Sequence, residues 1–334
     1  MGPLADLPWE YIPKTAFFIW MYYNNTMNEF SKIYMKSTDA ILDAIREISD
    51  KPFDLDLINK FSEAEYHLFE SFHYKRDVLD LSGIGGSLYN TANVGTISAF
   101  IIASLGIPVV KLSFPSYSGS VGSADVLNSY GIPIRMEREE IKKDLDRFNL
   151  SFIQRKYTKE GLVRNEKLKK IALKMPKYSV FRVLGLLCHP MEPKYRIYGL
   201  SKDEYAQSIS SYLSKNTSHY MVVYGTSGLD EVDISKETKI WEDQNNYIFK
   251  PEDIGMARRE IRDITTDKKE NISLLEAVLS GKAHQPIVEL VLINAAATIK
   301  IYKTMSWIES YDLAKMELKS KRPLGLLGKI KQAL

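Results

Sequence analysis

The sequence predicts an α/β protein with a small N-terminal α-helical region ahead of a larger, mainly parallel α/β region. Three observations carry that reading. Thr15 to Arg46 is rich in helix formers and aromatics and poor in Gly and Pro, and Phe61–Tyr74 continues with helical periodicity. From Asp77 onward short apolar runs alternate with helical stretches. Glycine clusters fall where the apolar runs end, as expected where a buried strand turns into a helix.

Val78-Leu79-Asp80-Leu81 reads as a short buried strand that meets Gly83, Gly85 and Gly86 at once. Thr96–Leu105 follows as a buried helix, Ile107–Lys111 as a strand, and Ser123–Tyr130 as a helix stopped by Gly131. Lys156–Lys177 is basic and reads as one charged helix. Arg196–Gly199, a helix over Asp203–Leu213 and the strand Tyr220–Tyr224 resume the alternation, which favours a mainly parallel sheet covered by helices. Asn271–Leu279 and Ile287–Met305 close the pattern as helices, the second apolar enough to be buried.

With 334 residues, 45% of them hydrophobic, the chain can bury a full core. The single Cys188 excludes an internal disulfide, and the first residues lack a charged-then-apolar leader, so a cytoplasmic location is expected. No apolar run reaches the roughly 18 residues needed to cross a bilayer, so no membrane partner is expected. The formal charge is +3, from 45 Lys and Arg against 42 Asp and Glu, which gives no reason to expect nucleic acid binding. The Lys-rich end from Lys315 to Lys331 reads as a solvated helical face, and the five His residues form no metal-binding spacing.

Three loops point to a phosphorylated ligand. The turn Gly83–Gly86 leads from a strand into a helix, where positive φ, close backbone approach and free amides suit phosphate. It lacks the spacing of a P-loop or of a dinucleotide turn, and the same glycines also serve a tight turn with no ligand. Lys111 adds a cation at the next strand end, and Ser116, Ser118, Gly119, Ser120, Gly122 and Ser123 form a second small-residue loop. Asp230 and Glu231, after the strand Tyr220–Tyr224, offer paired carboxylates for Mg²⁺, although such a pair alone also fits an ordinary acidic loop.

The residues from about Ile12 to the end resemble the anthranilate phosphoribosyltransferase family. Gly83, Gly85, Gly86, Thr91, Asn93 and Thr96 are in register with its glycine loop, and Lys111 with Gly122-Ser123-Ala124-Asp125 is similar to its next motif. Phe181–Pro190 resembles its Phe-Asn-x-Leu-Gly-Pro-Leu-x-Asn-Pro, Gly228-Leu229-Asp230-Glu231 its metal motif, and Asn271, Val278–Gly281 and Leu292–Ala296 its closing helices. The resemblance implies a helical, dimerising domain over residues 1–76 with about 156–190, and a phosphoribosyl-diphosphate-binding α/β domain over 77–155 and 191–334. It implies a homodimer through the helical domain, where Phe17, Phe18, Trp20 and Tyr22 are more apolar than a solvent face needs. Met1–Tyr11 falls where the family's second helix would finish, so the first two helices are expected to be absent or replaced. It also implies phosphoribosyl diphosphate held by Gly83, Gly85, Gly86, Asn93, Thr96, Lys111 and Ser123, with Mg²⁺ on Asp230 and Glu231.

Departures qualify the chemistry. The family's loop Asp is Ser87 here, the Gly after it is Leu88, and its metal-linked Ser is Gly95. Its His-Gly-Asn-Arg has become Leu112-Ser113-Phe114-Pro115, and its anthranilate-holding Arg aligns near Ala172. A carboxylate would lose its cationic partner there, so the expected acceptor is not anthranilate, and Leu112 and Phe114 would line an apolar or aromatic acceptor pocket or fill the space left by lost polar groups. Two functions follow: pentosyl transfer from phosphoribosyl diphosphate to another acceptor, or a nucleoside phosphorylase-like activity on a related phosphorylated sugar, on the one hand, and a non-catalytic paralogue that binds a nucleotide, nucleic acid or partner protein on the other.

Overall fold

The structure, a computed structural model, describes residues 37–49, 53–83, 87–115, 121–171, 174 and 180–333. Its elements in chain order are α1 (Thr38–Ser49), α2 (Leu55–Tyr66), β1 (Leu79–Gly83), α3 (Val94–Ser104), β2 (Val109–Leu112), α4 (Ser123–Ser129), α5 (Arg138–Phe148), β3 (Leu150–Ile153), α6 (Lys159–Ile171) and α7 (Val180–Gly185). They continue with β4 (Tyr195–Gly199), α8 (Ala206–Asn216), β5 (His219–Gly225), β6 (Thr238–Glu242), β7 (Asn245–Phe249), α9 (Lys268–Ser280), α10 (Gln285–Lys303), α11 (Trp307–Lys319) and α12 (Arg322–Gln332). The seven strands form one sheet in the order β3-β2-β1-β4-β5-β6-β7. The first five are parallel, and β6 and β7 extend the sheet as an antiparallel hairpin.

Side chains alternate across this sheet, so each strand feeds two cores. Leu79, Leu81, Val109, Ile197, Met221 and Val223 pack on one face against α3 and the closing helices α9 to α12. Tyr198, Tyr220 and Val222 pack on the other against α1, α2, α7 and α8. Helices therefore cover both faces, as the apolar runs predict. α3 is buried nearly all round because it lies between β1, β2, α10 and α12, which explains why it shows no polar face.

Several local differences have physical causes. Phe61–Tyr74, expected to be helical, ends its helix at Tyr66; from there the chain runs extended, with Phe69 bridged to Tyr157, Glu70 N–H on Lys156 O (2.9 Å) and Phe72 N–H on Pro190 O (2.8 Å). That course delivers Phe69 and Phe72 into different cores. The helix α5 and the edge strand β3 were not anticipated: only Ile141, Leu145 and Phe148 of α5 are buried, a narrow stripe in a charged sequence. The β6–β7 hairpin was also unforeseen; Asp243 and Gln244 turn it with φ of 43° and 79°. Phe17, Phe18, Trp20 and Tyr22 lie outside the described residues, as do Ile84, Gly85 and Gly86 and the loop Ser116–Ser120.

Among the described residues one charged pair is fully buried. Asp80 and Arg196 are opposite each other on β1 and β4, their side chains 0% and 4% exposed and 3.1 Å apart. Ser82 donates to the same carboxylate at 2.9 Å, and Arg196 also donates to the carbonyls of Leu187 (2.6 Å) and Leu186 (2.7 Å). The pair thus ties the segment after α7 to the middle of the sheet. Arg196→Met would strand the Asp80 carboxylate and should lower the unfolding free energy by about 3–5 kcal/mol in urea titrations, with Asp80→Asn/Arg196→Met losing less than the sum of the single variants. A loss below about 1 kcal/mol for Arg196→Met would contradict this role.

Candidate functional site

The site forms at the carboxyl ends of β1, β2, β4 and β5, where parallel sheets present ligands to loops. After β5 the chain doubles back through Gly225–Leu229, closed by Gly225 N–H on Leu229 O (3.0 Å) and Gly228 N–H on Gly225 O (2.8 Å). Gly228 takes φ +98°, a conformation that glycine adopts without cost. The turn lowers Asp230 onto the ends of β1 and β4. A Cβ on Gly83 would fall 3.1 Å from the Asp230 carboxyl carbon, and one on Gly199 would collide with the Asp230 main chain. These two positions therefore admit only glycine while Asp230 stays where it is.

The rest of the acidic loop is held from behind. Asp233 is fully buried and accepts hydrogen bonds from Ser227 Oγ (2.5 Å), Ser235 N–H (2.7 Å) and Ser235 Oγ (2.7 Å), among others. From α10, the Asn294 amide braces Val232, accepting its N–H at 2.8 Å and donating to its carbonyl at 3.0 Å. Glu231 receives the Thr91 hydroxyl at 3.1–3.2 Å. Although Glu231 keeps some solvent contact, burial pushes its carboxyl well above the usual range; Asp230 and Asp233 push the same way and Thr91 opposes them.

Lys111 points to the α3 face of β2 and is 7% exposed. Burial pushes its ammonium below the usual lysine range, with Asp80 and Asp230 pulling in the opposite direction. A Cβ on Gly95 would lie 3.4 Å from Lys111 Cε and 3.8 Å from Nζ, so the glycine leaves room for the ammonium under the start of α3. In that first turn the Thr96 hydroxyl is buried and has no hydrogen-bond partner among the described residues.

The structure thus brings Gly83, Lys111, Thr96, Asp230 and Glu231 to one end of the sheet. Asn93 and Ser123 stand beside them as braces. Asn93 donates to Val121 O (3.1 Å) and Asn271 Oδ1 (2.9 Å), and Asn271 donates back to Thr91 O (2.6 Å). Ser123 Oγ accepts the Phe114 N–H at 3.2 Å. Leu112 is 2% exposed within a core of Val78, Val110, Ile141, Leu145 and Ile153, so among the described residues it fills space. Phe114 is half-buried, its ring 5.9 Å from the Arg155 guanidinium.

Four contributors escaped the sequence reading. Ser87 donates to the Asp230 carboxylate, and its Oγ accepts the Asp230 N–H at 3.0 Å. Thr91 was visible only as a motif residue. Asp233 was not singled out at all. Arg155, 4% exposed just beyond β3, bonds Cys188 O (2.9 and 2.7 Å) and Gly185 O and stacks on Phe69. Its one signal was its place two residues past an apolar strand.

Mg²⁺ fits these donors. Among the described residues no cluster of three or more His, Cys, Asp or Glu side chains gathers; the adjacent Asp230 and Glu231 carboxylates are oxygen donors of the kind Mg²⁺ accepts when waters and ligand oxygens complete its shell. A divalent cation would also favour the ionised form of the Glu231 carboxyl, which burial and then Asp230 hold high.

Residues 75–320 match the profile described as glycosyl transferase family, a/b domain. The chain is 32% identical over 230 residues to an anthranilate phosphoribosyltransferase of Geobacillus kaustophilus, covering 67% of each chain, and 29% identical over 265 residues to that of Persephonella marina, covering 76% of each. Among solved structures, it is similar to the Saccharomyces cerevisiae anthranilate phosphoribosyltransferase in complex with PRPP and Mg: TM-score 0.78, 25% identity, 88% of this chain and 85% of that one. The Thermus thermophilus enzyme shares the fold at TM-score 0.76 and 21% identity, over 96% and 95% of the two chains. The fold and these matches define a transferase of the phosphoribosyltransferase type. The chain belongs to the anthranilate phosphoribosyltransferase family, as a divergent member.

Behind the site, His189 occupies the Asn position of the family's Leu-x-Asn-Pro motif; it is fully buried and accepts the Met191 N–H at Nδ1 (3.1 Å). Burial pushes it down to about 3, with Arg196 and Arg155 adding to the effect and Asp80 opposing it. Its folded value lies below the unfolded one, so stability is lost as pH falls from about 6.5 towards 3, by about 1.4 kcal/mol per unit. Between pH 7 and pH 5 the chain should lose about 2 kcal/mol more than His189→Asn, read from urea midpoints; equal losses would contradict a buried neutral imidazole.

Proposed function

We propose that the protein transfers a pentosyl group from phosphoribosyl diphosphate to an acceptor other than anthranilate, with Mg²⁺ on Asp230 and Glu231. The observation that carries this reading is the convergence of Asp230, Glu231 and Lys111 on glycine-lined strand ends. An ammonium and a dication there would offset the charge that builds up on a departing diphosphate, and charge offset of that kind is a large part of transferase catalysis. The orphan Thr96 hydroxyl in the first turn of α3 adds a donor for phosphate oxygens. The relative from Saccharomyces cerevisiae, solved with PRPP and Mg, supports this ligand pair.

On the acceptor side, Ala172 aligns with the family's anthranilate-holding Arg, and it lies outside the described residues. Phe114 lies 5.9 Å from the buried Arg155 guanidinium, and this aromatic and cationic pair, which differs from the family's polar motif, supports an apolar or aromatic acceptor. The division into a helical unit (1–76 with about 156–190) and an α/β unit (77–155 and 191–334) is likewise proposed. Its support is that α1 packs against α6 and α7. A cytoplasmic location and a homodimer through the helical unit complete the reading; among the described residues no helix is long and apolar enough to cross a membrane.

A non-catalytic paralogue is the second reading, favoured by Ser87 and Leu88 lying across the acidic loop: Leu88 Cδ1 would be 2.6 Å from a Cβ on Gly228. Calorimetry separates the two. Phosphoribosyl diphosphate with Mg²⁺ should give a heat that Asp230→Ala/Glu231→Ala abolishes and Lys111→Ala weakens by about 1–3 kcal/mol. No heat from the unaltered chain at millimolar ligand and Mg²⁺ would leave the non-catalytic reading standing.

A further inference from the structure

The segment after the glycine turn is fastened to the acidic loop at three successive points. Ser87 makes two hydrogen bonds to one residue, donating to the Asp230 carboxylate and accepting the Asp230 N–H at 3.0 Å. Leu88 donates its N–H to Gly228 O at 3.2 Å and lays its side chain on the Gly228 Cα, although the side chain remains 64% exposed. Thr91 directs its single hydroxyl proton at both Glu231 oxygens, 3.2 and 3.1 Å away. Two further main-chain ties, Thr91 bridged to Thr265 and Thr266 N–H on Asn90 O (2.8 Å), keep the segment from drifting off.

We propose that Ser87 and Thr91 are positioning residues that hold the Asp230 and Glu231 carboxylates closed against a bare divalent cation, so that metal enters together with a phosphorylated sugar and not before it. The inference rests on the Mg²⁺ reading above. A cation arriving alone must displace a hydroxyl proton from each carboxylate, and it gains only two protein side chains in return. A diphosphate brings further oxygens to the same ion, and Mg²⁺ commonly relies on such oxygens to complete its shell. Ligand oxygens therefore tip a balance that the two hydroxyls set against metal alone. A hydrogen bond to a charged group is worth enough that removing one should raise the affinity for metal alone about tenfold.

The test titrates Mn²⁺ alone into the full chain and follows the free-ion paramagnetic signal. Ser87→Ala should bind Mn²⁺ about tenfold more tightly than the unaltered chain, and Ser87→Thr, which keeps the hydroxyl, should return to the weak affinity. A hydroxyl with a purely structural role would leave the affinity unchanged or lower it on removal, and either result overturns the proposal. Phosphoribosyl diphosphate is then titrated into Mn²⁺-loaded Ser87→Ala. Tight Mn²⁺ binding with no sugar-diphosphate binding means that the transferase reading fails while the closed carboxylates stand. Normal sugar-diphosphate binding with unaltered Mn²⁺ affinity overturns the closure alone.

Discussion

The close seat of Asp230 on Gly83 and Gly199 is the contact on which the site depends. β1 and β4 are paired residue by residue up to those two glycines, so their ends form a flat floor without side chains. The main chain of Asp230 comes down on that floor, which sets its carboxylate beside Gly83 while Glu231 reaches Thr91. Any side chain at Gly199 would lift the acidic loop and separate the carboxylates from Lys111. The Asp233 cradle and the Asn294 brace are the support for this placement: they fix the loop's far side so that Asp230 has one place to land.

Much of this was legible because strand ends announce themselves. A buried Asp80 within an apolar run, glycines at the ends of β1 and β4, and a lysine at the end of β2 each mark where backbone or charge must be accommodated. The alternation of apolar runs gave the parallel sheet and the helices on both sides. Less visible were elements whose apolar stripe is thin, such as α5 with three buried side chains, and contacts distant in sequence. That Asp80 pairs with Arg196, or Ser87 with Asp230, depends on strand order, which one sequence without partners in space does not display. Leu112 shows the opposite case. Its type suited an acceptor wall, but the two-residue period of β2 places it on the face opposite Lys111.

Two buried arginines fasten the end of α7 to the sheet. Arg196 reaches from β4 to the carbonyls of Leu186 and Leu187, and Arg155 from the end of β3 to those of Gly185 and Cys188. Together they collect four successive orphan carbonyls at the end of α7 and fasten that segment to the sheet, a task that water performs at an exposed helix end. The Cys188 thiol, with burial pushing it up to about 12, is packing and not a nucleophile. Arg155 also carries Phe114 against its guanidinium, so the loop following Lys111 and the segment following α7 share one anchor.

Whether the carboxylates on the glycine floor hold a metal with a sugar diphosphate is best decided by anomalous scattering from crystals grown with Mn²⁺ and phosphoribosyl diphosphate. The account predicts a manganese peak within coordination distance of Asp230 and Glu231, with diphosphate oxygens on the same ion and Lys111 beside them. Ligand bound elsewhere on the protein, or diphosphate at the strand ends with manganese away from both carboxylates, would contradict it.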